Sequence, residues 1–442
     1  MTTEAPGTPN WPAPADLSSF CFEVPYSEDS ILFERASGIR LFDTAGRGYL
    51  DAMSGVFVTC FGYDCEPIRS AVAAQLGRMA FNPPLHGTNQ NALALAEALV
   101  GLAPPGIVSA KLVNGGSEAV EAALRLSRLY HRETGDSGRY KTISYFHGYH
   151  GATFGSLSVT GRPDVSRFGP GLPGAVHVWS PDALEDFLGV PAEESGRLAA
   201  ELIERTIEAE GPDSFAAIIV EPVIHLRGMA VAPQGYLARL REICDRHGIL
   251  LVFDEIVTGF GRTGLPFAAQ TFGVTPDLMC VGKGISGGYA PLAAVLIHER
   301  ISAVLGDGSG PVSFAPSHTY AANPMASAAG LAAVRLFTGD EYPKRIAELA
   351  ERFESALREA VGSRGNVRAL GLLYGVKLST PGDVVDGSLG EQVARACLRR
   401  GLIIRGQDDW IVLAPAFVTT EEDVQSICRT LAEALDETHG TR

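Results

Sequence analysis

Lysine is scarce in this sequence of 442 residues, since only five of its 36 basic residues are lysines. Acidic residues number 51, so the formal net charge is −15 at pH 7. An acidic surface repels phosphate backbones and anionic lipids, and the charge therefore argues against nucleic acid and membrane partners. The scarcity also makes any lysine among small and apolar residues a candidate for chemistry rather than for solubility.

Cysteine is sparse and irregularly spaced. The seven cysteines are odd in number and include no Cys-x-x-Cys pair. This pattern argues against a disulfide framework and against a zinc site, so no metal is expected. It is typical of free thiols in a reducing compartment, and we expect the protein to be cytoplasmic.

Long apolar runs are missing as well. No segment approaches the length of about 20 residues that a membrane-spanning helix needs. The first twenty residues lack the basic start and the apolar centre of a secretory signal. The apolar fraction of 46% is nevertheless that of a globular enzyme.

A chain of this length exceeds one ordinary hydrophobic core and should divide into lobes. We assign residues 1–65 to the N-terminal segment of a small domain, with 1–18 expected to be flexible. Residues 66–335, where helical stretches alternate with short apolar strands, are expected to form a large α/β domain with a mainly parallel sheet. Residues 336–442 are expected to form the C-terminal, α+β segment of the small domain.

One apolar run, residues 249–253, is followed directly by Asp254. Such a run indicates a buried strand of a parallel sheet, and ligands of these sheets bind where the strands end. Lys283 follows a second apolar stretch and lies between two glycines. A lysine that forms a Schiff base, with an aspartate facing a pyridinium nitrogen, is how proteins hold pyridoxal phosphate. On these two residues alone, a loop-capping aspartate and a surface lysine are equally good explanations.

Two further patterns favour a cofactor site. Asn114-Gly-Gly-Ser117 leads from a short strand into an amphipathic helix, where exposed N–H groups and the helix dipole attract an anion. The loop 146–153 contains Tyr149 followed by His150, and an aromatic side chain there suits a flat heteroaromatic ring. Taken singly, the first pattern is usually a capped turn and the second a surface turn.

Together, six motifs resemble the class III pyridoxal-phosphate-dependent aminotransferases of fold type I, and most closely their ω-amine:pyruvate branch. The motifs are Asn-Gly-Gly-Ser-Glu-Ala, Tyr-His-Gly-Ala-Thr, Glu221-Pro-Val, Phe-Asp-Glu-Ile-Val-Thr-Gly-Phe-Gly-Arg-Thr-Gly264, Gly-Lys-Gly and His318-Thr-Tyr-Ala-Ala-Asn-Pro324. The resemblance extends from about Ile31 to about residue 435. It implies a large domain with a mainly parallel sheet and a smaller α+β domain built from both ends of the chain.

The resemblance implies roles around the cofactor ring. Lys283 forms the Schiff base and moves the proton, while Asp254 keeps the pyridine nitrogen protonated. Tyr149 and Val257 pack on the two faces of the ring.

The same resemblance implies a phosphate site and two supporting residues. Gly115, Gly116 and Ser117 bind the phosphate together with Thr319 of a second copy of the chain, which makes the enzyme an obligate homodimer with shared active sites. His150 and Glu221 lie around the ring hydroxyl and the Asp254 side chain.

Substrate choice depends on a few positions. Phe57 aligns with an aromatic over the substrate pocket, although it could instead be a core residue under the hairpin formed by residues 31–52. Arg405 matches the arginine that binds a substrate carboxylate. The branch acting on ornithine or 4-aminobutyrate has Gln-Gly-Glu-Ala-Gly where this chain has Ile224-His-Leu-Arg-Gly228. Leu226 therefore replaces the glutamate that would neutralise the arginine. His225 and Arg227 could reach an anionic or polar substrate group, but we expect them to face solvent.

We therefore expect ping-pong transfer of an amino group from a primary amine or ω-amino acid to a 2-oxo acid such as pyruvate. Amination of a biosynthetic aldehyde or ketone is equally compatible with the sequence. The alternatives are an amino acid epimerase, an aminomutase or a decarboxylase of the same fold. A pyridoxal-phosphate-binding protein without turnover fits less well.

Overall fold

The computed structural model describes residues 31–306, 318–339, 341–379 and 389–439. The expected flexible segment 1–18 lies outside the described residues. In the part that is described, no helix is long and apolar enough to cross a membrane. The same ranges contain no group of three or more His, Cys, Asp or Glu side chains arranged to hold a metal ion.

Strands and helices alternate through the middle of the chain. The strands are β1 (Phe33–Ser37), β2 (Arg40–Asp43), β3 (Gly48–Asp51), β4 (Ile107–Val113), β5 (Lys141–Tyr145), β6 (Ala175–Val178), β7 (Phe215–Val220), β8 (Val223–Ile224), β9 (Ala230–Val231), β10 (Leu250–Glu255), β11 (Leu278–Val281), β12 (Ala293–His298), β13 (Gly365–Leu370), β14 (Leu373–Leu378), β15 (Leu402–Ile403), β16 (Arg405–Gln407) and β17 (Trp410–Leu413). The helices are α1 (Glu66–Arg78), α2 (Gln90–Leu102), α3 (Gly116–Glu133), α4 (Phe154–Ser158), α5 (Pro181–Leu188), α6 (Ala192–Glu210), α7 (Tyr236–His247), α8 (Ala268–Thr271), α9 (Glu299–Leu305), α10 (Pro324–Thr338), α11 (Glu341–Val361), α12 (Leu389–Arg399) and α13 (Glu421–His439).

The central sheet has seven strands in the order β4-β12-β11-β10-β7-β5-β6. All neighbouring pairs are parallel except the two that β12 makes with β11 and β4. Strands β7 and β10 are buried at every residue, because helices cover both faces of the sheet. The expected mainly parallel sheet is confirmed, while β12, which the alternating pattern grouped with the parallel strands, runs antiparallel.

Helix α3 shows how the sheet is covered. Its apolar residues recur at helical spacing, so that Ala119, Val120, Ala123 and Leu126 are buried on one face. That face packs against β11 and β12 and joins their side chains in one apolar cluster. The helix therefore holds its N-terminal turn fixed at the edge where the parallel strands end.

The two ends of the chain meet in smaller sheets. Strands β1, β2 and β3 form an antiparallel meander, and β15 from the C-terminal part pairs in parallel with β3 through Leu402 opposite Leu50. Strands β13, β14, β17 and β16 form a second antiparallel sheet. The expected domain boundary at residue 65 coincides with the start of α1, whereas the boundary at residue 335 falls inside α10.

Candidate active site

The carboxyl ends of five strands of the central sheet surround a cavity of about 330 Å³. The strands are β4, β5, β7, β10 and β11. At or just after the end of each strand, one or more residues line the cavity. Ligand sites of parallel sheets lie at this edge, because all the strands end there together. The residues contributed in this way include Ser117, Tyr149, Glu221, Asp254 and Lys283.

Lys283 lies two residues after β11 and begins a short 3₁₀ turn, with its backbone in the left-handed region at φ 46°. Burial lowers the pKa of its amine, although the charges of Asp254 and Glu221 act in the opposite direction. No carboxylate of the described ranges lies within ion-pair distance of its nitrogen. A lysine amine in this setting is held closer to the neutral, nucleophilic form than one in water.

Asp254 is fixed from two sides at the end of β10. Its Oδ2 lies 2.8 Å from Nδ1 of the buried His150, and its Oδ1 accepts a hydrogen bond from the Ile256 N–H at 3.1 Å. Burial opposes protonation of His150, but the hydrogen bond and charge of Asp254 outweigh it and raise the histidine pKa. His150 is itself positioned by its backbone N–H, which donates to Thr160 Oγ1 at 2.9 Å. The carboxylate is thus pre-oriented beside an imidazole whose protonated form it favours.

Glu221 forms a second buried pair. Its Oε1 lies 2.6 Å from Nδ1 of His225, and its Oε2 accepts a hydrogen bond from the Tyr149 N–H at 2.9 Å. Burial would raise the pKa of this carboxyl, yet its electrostatic attraction to His225 and the hydrogen bond between them lower the pKa below its ordinary value. Glu221 is therefore ionised, and it holds the backbone of the loop that carries Tyr149.

The expectation that His225 and Arg227 face solvent is wrong for the histidine. His225 is only 8% exposed and lines the cavity. Arg227 does not line it, and instead binds Asp182 and Asp186 of α5, each at 2.7 Å. The sequence did contain a signal for His225, namely its spacing of four residues from Glu221, which permits a local hydrogen bond.

A cradle of small residues lies at the N-terminus of α3. A Cβ atom on Gly116 would come within 3.2 Å of the Ile256 side chain, so the backbone there approaches β10 closely. Gly151, at φ 131°, lies against Ser117, and a Cβ on it would come within 2.6 Å of the serine Oγ. That oxygen accepts a hydrogen bond from the Ala152 N–H at 3.0 Å. The cradle brings Gly115, Gly116 and Ser117 together at the positive end of a helix, where a phosphate would be stabilised.

Val257 and Phe57 belong to one apolar cluster beside the cavity. Val257 lines the cavity, as does Tyr149. Phe57 is 1% exposed and does not line it, whereas the next residue, Val58, does. The structure thus places the phenyl ring behind the cavity wall rather than on its surface.

The backbone that carries Phe57 has an unusual conformation. Four consecutive residues, 54–57, have φ between 48° and 69°, which forms one left-handed turn. For the β-branched Val56 this conformation is strained. The turn is held by the Asp51 carboxylate, which accepts hydrogen bonds from the Met53 and Gly55 N–H groups at 2.8 and 2.5 Å. Ser54 Oγ adds a bond of 2.7 Å to the Ala414 carbonyl, which joins the turn to the C-terminal part of the chain.

Arg405 begins β16 and is half-buried outside this cavity. Its Nη2 lies 3.4 Å from Oε1 of Gln407, whose Nε2 donates to the Leu226 carbonyl at 3.2 Å. Burial, followed by the charge of Arg162, lowers the pKa of the guanidinium. Within the described ranges no carboxylate pairs with Arg405, so its nearest polar partner is a neutral amide.

Thr319 is exposed and does not line the cavity of its own chain. Its neighbour His318 has Nδ1 4.0 Å from Oε1 of Glu118, in the first turn of α3. The segment therefore lies near the cradle but outside it.

This site fits pyridoxal phosphate. A buried lysine amine, an oriented carboxylate, two side chains suited to the faces of a flat ring and a glycine-rich helix N-terminus meet in one cavity at the strand ends. With a mainly parallel sheet and a smaller lobe built from both chain ends, these features define a fold type I pyridoxal-phosphate enzyme.

Comparison with known proteins identifies the family. The family model described as aminotransferase class-III matches residues 22–435. The chain is 35% identical to an omega-aminotransferase of Caulobacter vibrioides over 409 residues, which are 91% of this chain and 93% of the relative. It is 33% identical to an omega-amino acid–pyruvate aminotransferase of Pseudomonas putida, with 93% of each chain covered. The crystal structure of the omega transaminase from Pseudomonas jessenii in complex with PMP superimposes with a TM-score of 0.91 at 29% identity, covering 97% of this chain and 98% of that one.

The chain therefore belongs to the class III aminotransferases. It is a transferase that depends on pyridoxal phosphate, and its resemblance to the ω-transaminase branch is confirmed.

Proposed function

We propose that the enzyme transfers an amino group from a primary amine or ω-amino acid to a 2-oxo acid such as pyruvate, in two half-reactions. The observation that carries this proposal is Arg405, which has only the neutral amide of Gln407 beside it. A guanidinium without an internal carboxylate can bind a substrate carboxylate bidentately, and it can move aside for a substrate that has none. One pocket can then serve an uncharged amine in the first half-reaction and pyruvate in the second.

The curated relatives agree with this substrate class. Those named for pyruvate include a beta-alanine–pyruvate and a putrescine–pyruvate aminotransferase of Pseudomonas aeruginosa, at 33% and 30% identity. Another relative, at 33% identity, is the adenosylmethionine-8-amino-7-oxononanoate aminotransferase of Nitratidesulfovibrio vulgaris. Amination of a biosynthetic aldehyde or ketone is therefore the second candidate.

We assign the proton transfer to Lys283. Bound pyridoxal phosphate supplies the electron sink that stabilises negative charge on the substrate carbon. The Lys283 amine would remove the proton from that carbon and deliver it to the C4′ carbon of the cofactor, which requires the neutral amine favoured by burial. Asp254, oriented by His150, holds the proton on the ring nitrogen.

The remaining cofactor contacts are assigned to the cradle and the loops around it. The N–H groups of Gly115 and Gly116 and the Ser117 hydroxyl bind the phosphate. Tyr149 and Val257 enclose the ring, and Glu221 fixes the Tyr149 loop through its backbone. Phe57 supports Val257 from behind.

We propose a homodimer in which Thr319 binds the phosphate of the other copy. Support comes from exposed apolar side chains around the α1–α2 connection, next to the Thr319 segment, where Tyr320 packs edge-on against Phe81 at 5.9 Å. Contiguous apolar surface of this kind marks an interface. The side chains concerned are Met79, Phe81, Leu85, Leu93 and Tyr320, of which Leu85 is 77% exposed.

The dimer is tested by replacing Leu85 with aspartate and measuring mass by sedimentation. We expect a monomer that retains pyridoxal phosphate poorly, because cofactor binding and association are linked. Thr319→Ala should weaken cofactor retention without dissociating the dimer. A fully active monomer would contradict the assignment.

We also propose that residues 1–65 and 336–442 form one small domain and that the enzyme works in the cytoplasm. The shared sheet of β3 and β15 supports the first proposal. The six cysteines of the described ranges are all free thiols, which supports the second.

The central experiment incubates the holoenzyme with an amine donor and pyruvate and measures alanine. Only an aminotransferase of this specificity makes alanine from both substrates. An epimerase, aminomutase or decarboxylase makes none, and a binding protein without turnover shows the cofactor absorbance with no donor-dependent change.

A further inference from the structure

His225 places an imidazole where the ornithine and 4-aminobutyrate branch of the family has glycine. The side chain is buried, lines the cavity and plays no part in the proton transfer assigned to Lys283. A glycine at this position would leave its volume to the substrate. The histidine both narrows the cavity and adds a polar group to it.

The orientation of the imidazole is fixed by Glu221. Because the Glu221 carboxylate is ionised and accepts a hydrogen bond at 2.6 Å, the proton of a neutral His225 ring lies on Nδ1. The other nitrogen, Nε2, then carries a lone pair and acts as an acceptor. No side chain or backbone group of the described ranges donates to it.

Two aromatic side chains prevent the imidazole from rotating away. The ring of Phe57 contacts it edge-on with centroids 5.9 Å apart and an interplanar angle of 76°. The ring of Tyr149 does so at 5.9 Å and 87°. His225 is therefore held in one orientation by its hydrogen bond to Glu221 and two perpendicular ring contacts.

Apolar side chains also line the cavity. Val58, Ile256, Val257 and Leu292 line it, and none of their side chains offers a hydrogen bond. An acceptor set in such a wall favours a ligand that donates a hydrogen bond to it. A site built in this way disfavours a hydrocarbon of the same size, because binding it leaves the acceptor desolvated and unpaired.

We infer that His225 is a specificity-determining residue whose Nε2 accepts a hydrogen bond from a hydroxyl or second amino group of the amine donor. The preferred donors are then amino alcohols and diamines rather than simple alkylamines. This inference rests on the proposed amine:pyruvate transamination and narrows its substrate class.

The test compares donors matched in length, with pyruvate as acceptor and the holoenzyme throughout. Straight-chain amino alcohols of three to six carbons are each paired with the n-alkylamine that has the same number of non-hydrogen atoms. Neither donor of a pair carries a carboxylate, so Arg405 contributes equally to both. In at least one pair, kcat/KM should favour the amino alcohol roughly tenfold in the wild-type enzyme.

Two amide variants test the roles of Nδ1 and Nε2 of His225 separately. His225→Asn keeps an N–H near the position of Nδ1, and with it the bond to Glu221, but has nothing at the position of Nε2. His225→Gln places its amide near the position of Nε2 instead. We expect the preference to fall to near one in the asparagine variant and to survive in part in the glutamine variant. Arg227→Gln, two residues away and outside the cavity, is the matched control and should leave the preference unchanged.

The outcomes distinguish this inference from the function it depends on. If alkylamines and amino alcohols are both converted with no preference in any pair, the role of His225 is wrong while transamination stands. The same conclusion follows if His225→Asn lowers both members of a pair equally, because the histidine would then act only through Glu221. If no amine yields alanine from pyruvate, the proposed function itself fails.

Discussion

The cofactor side and the substrate side of the active site are built differently. The cofactor side is made at the ends of adjacent strands of one buried sheet, where Asp254 lies near the end of β10 and Lys283 lies two residues after β11. The substrate side combines the left-handed turn at 54–57, the stretch after β7 and Arg405 near the C-terminus. A rigid sheet can fix chemistry with few residues, whereas specificity is assembled from segments far apart in the chain. Mutations on the cofactor side should therefore lower the rate for every substrate, whereas mutations on the substrate side should change the preference between substrates.

Replacing Lys283 should have the largest effect. Lys283→Ala is expected to abolish multiple turnover and the visible absorbance of the bound cofactor, although the phosphate cradle can still hold the cofactor. Spectroscopy of the purified variant with and without donor checks both. Near-normal transamination would show that another amine does this work, which is unexpected because the other four lysines lie outside the cavity lining.

Asp254→Asn should come next, with the fold preserved because the two side chains are nearly isosteric. The amide cannot stabilise a positively charged ring nitrogen in a buried site, so kcat should fall on the order of a thousandfold. Single-turnover rates measured for amines and for pyruvate should fall together, since the loss is in the chemistry. A loss of less than tenfold would mean that Asp254 is not the partner of the ring nitrogen.

Arg405→Ala should instead affect substrates that carry a carboxylate more than those that do not. Loss of a charge-assisted pair costs about 2–3 kcal/mol, and the cost should appear in kcat/KM for pyruvate and for ω-amino acids. An amine without a carboxylate should be much less affected in its own half-reaction. Equal losses for charged and uncharged donors would show that the arginine supports the fold.

Replacing Glu255 should have the smallest effect on activity. Its role contrasts most clearly with that of its neighbour Asp254. Its carboxylate is fully buried away from the cavity and accepts hydrogen bonds from the Ala268 and Ala269 N–H groups at the start of α8, at 2.6 and 2.7 Å. Burial raises its pKa to about 7 despite these bonds. The role is structural, so the effect should be on stability and its pH dependence.

The direction of that pH dependence is set by the raised pKa. Folding takes up a proton at Glu255 between the ordinary pKa of 4.5 and the folded value of about 7. Its contribution to stability is therefore complete below about pH 4.5 and is lost as the pH rises through about 7. Urea unfolding at several pH values should show this slope in the wild type and a flatter profile in Glu255→Gln. An unchanged slope would show that the carboxyl is ionised throughout.

The same contrast explains what could be predicted from sequence. Asp254 follows an apolar run directly, and Lys283 and Ser117 follow apolar runs after a short glycine-containing link, so their place at the sheet edge follows from local pattern alone. The antiparallel direction of β12 could not be predicted in this way, because a buried apolar strand has the same composition in either direction. The domain boundary at residue 335 stays a prediction, although that residue lies inside helix α10.

The substrate side was harder to predict because its contacts join distant segments. His225 is a surface histidine by its local sequence, and only the approach of Phe57 and Tyr149 places it in the cavity wall. Phe57 could not be assigned either, since its φ of 69° depends on the Asp51 carboxylate. Leu226 was more informative about substrate choice. The sequence alone shows that it replaces the glutamate that would neutralise Arg405.

The left-handed turn at 54–57 has a consequence for how specificity can change by mutation. Relaxing a strained β-branched residue stabilises a protein, so Val56→Gly or Val56→Asn offers a gain at a position whose side chain is 52% exposed. The turn, however, sets the direction of the backbone just before Val58, which lines the cavity. A substitution that changes the turn therefore changes the position of the Val58 wall as well. Adaptation to new amines can therefore begin at an exposed residue that touches no substrate, and the stability gained there can offset the cost of later changes inside the pocket.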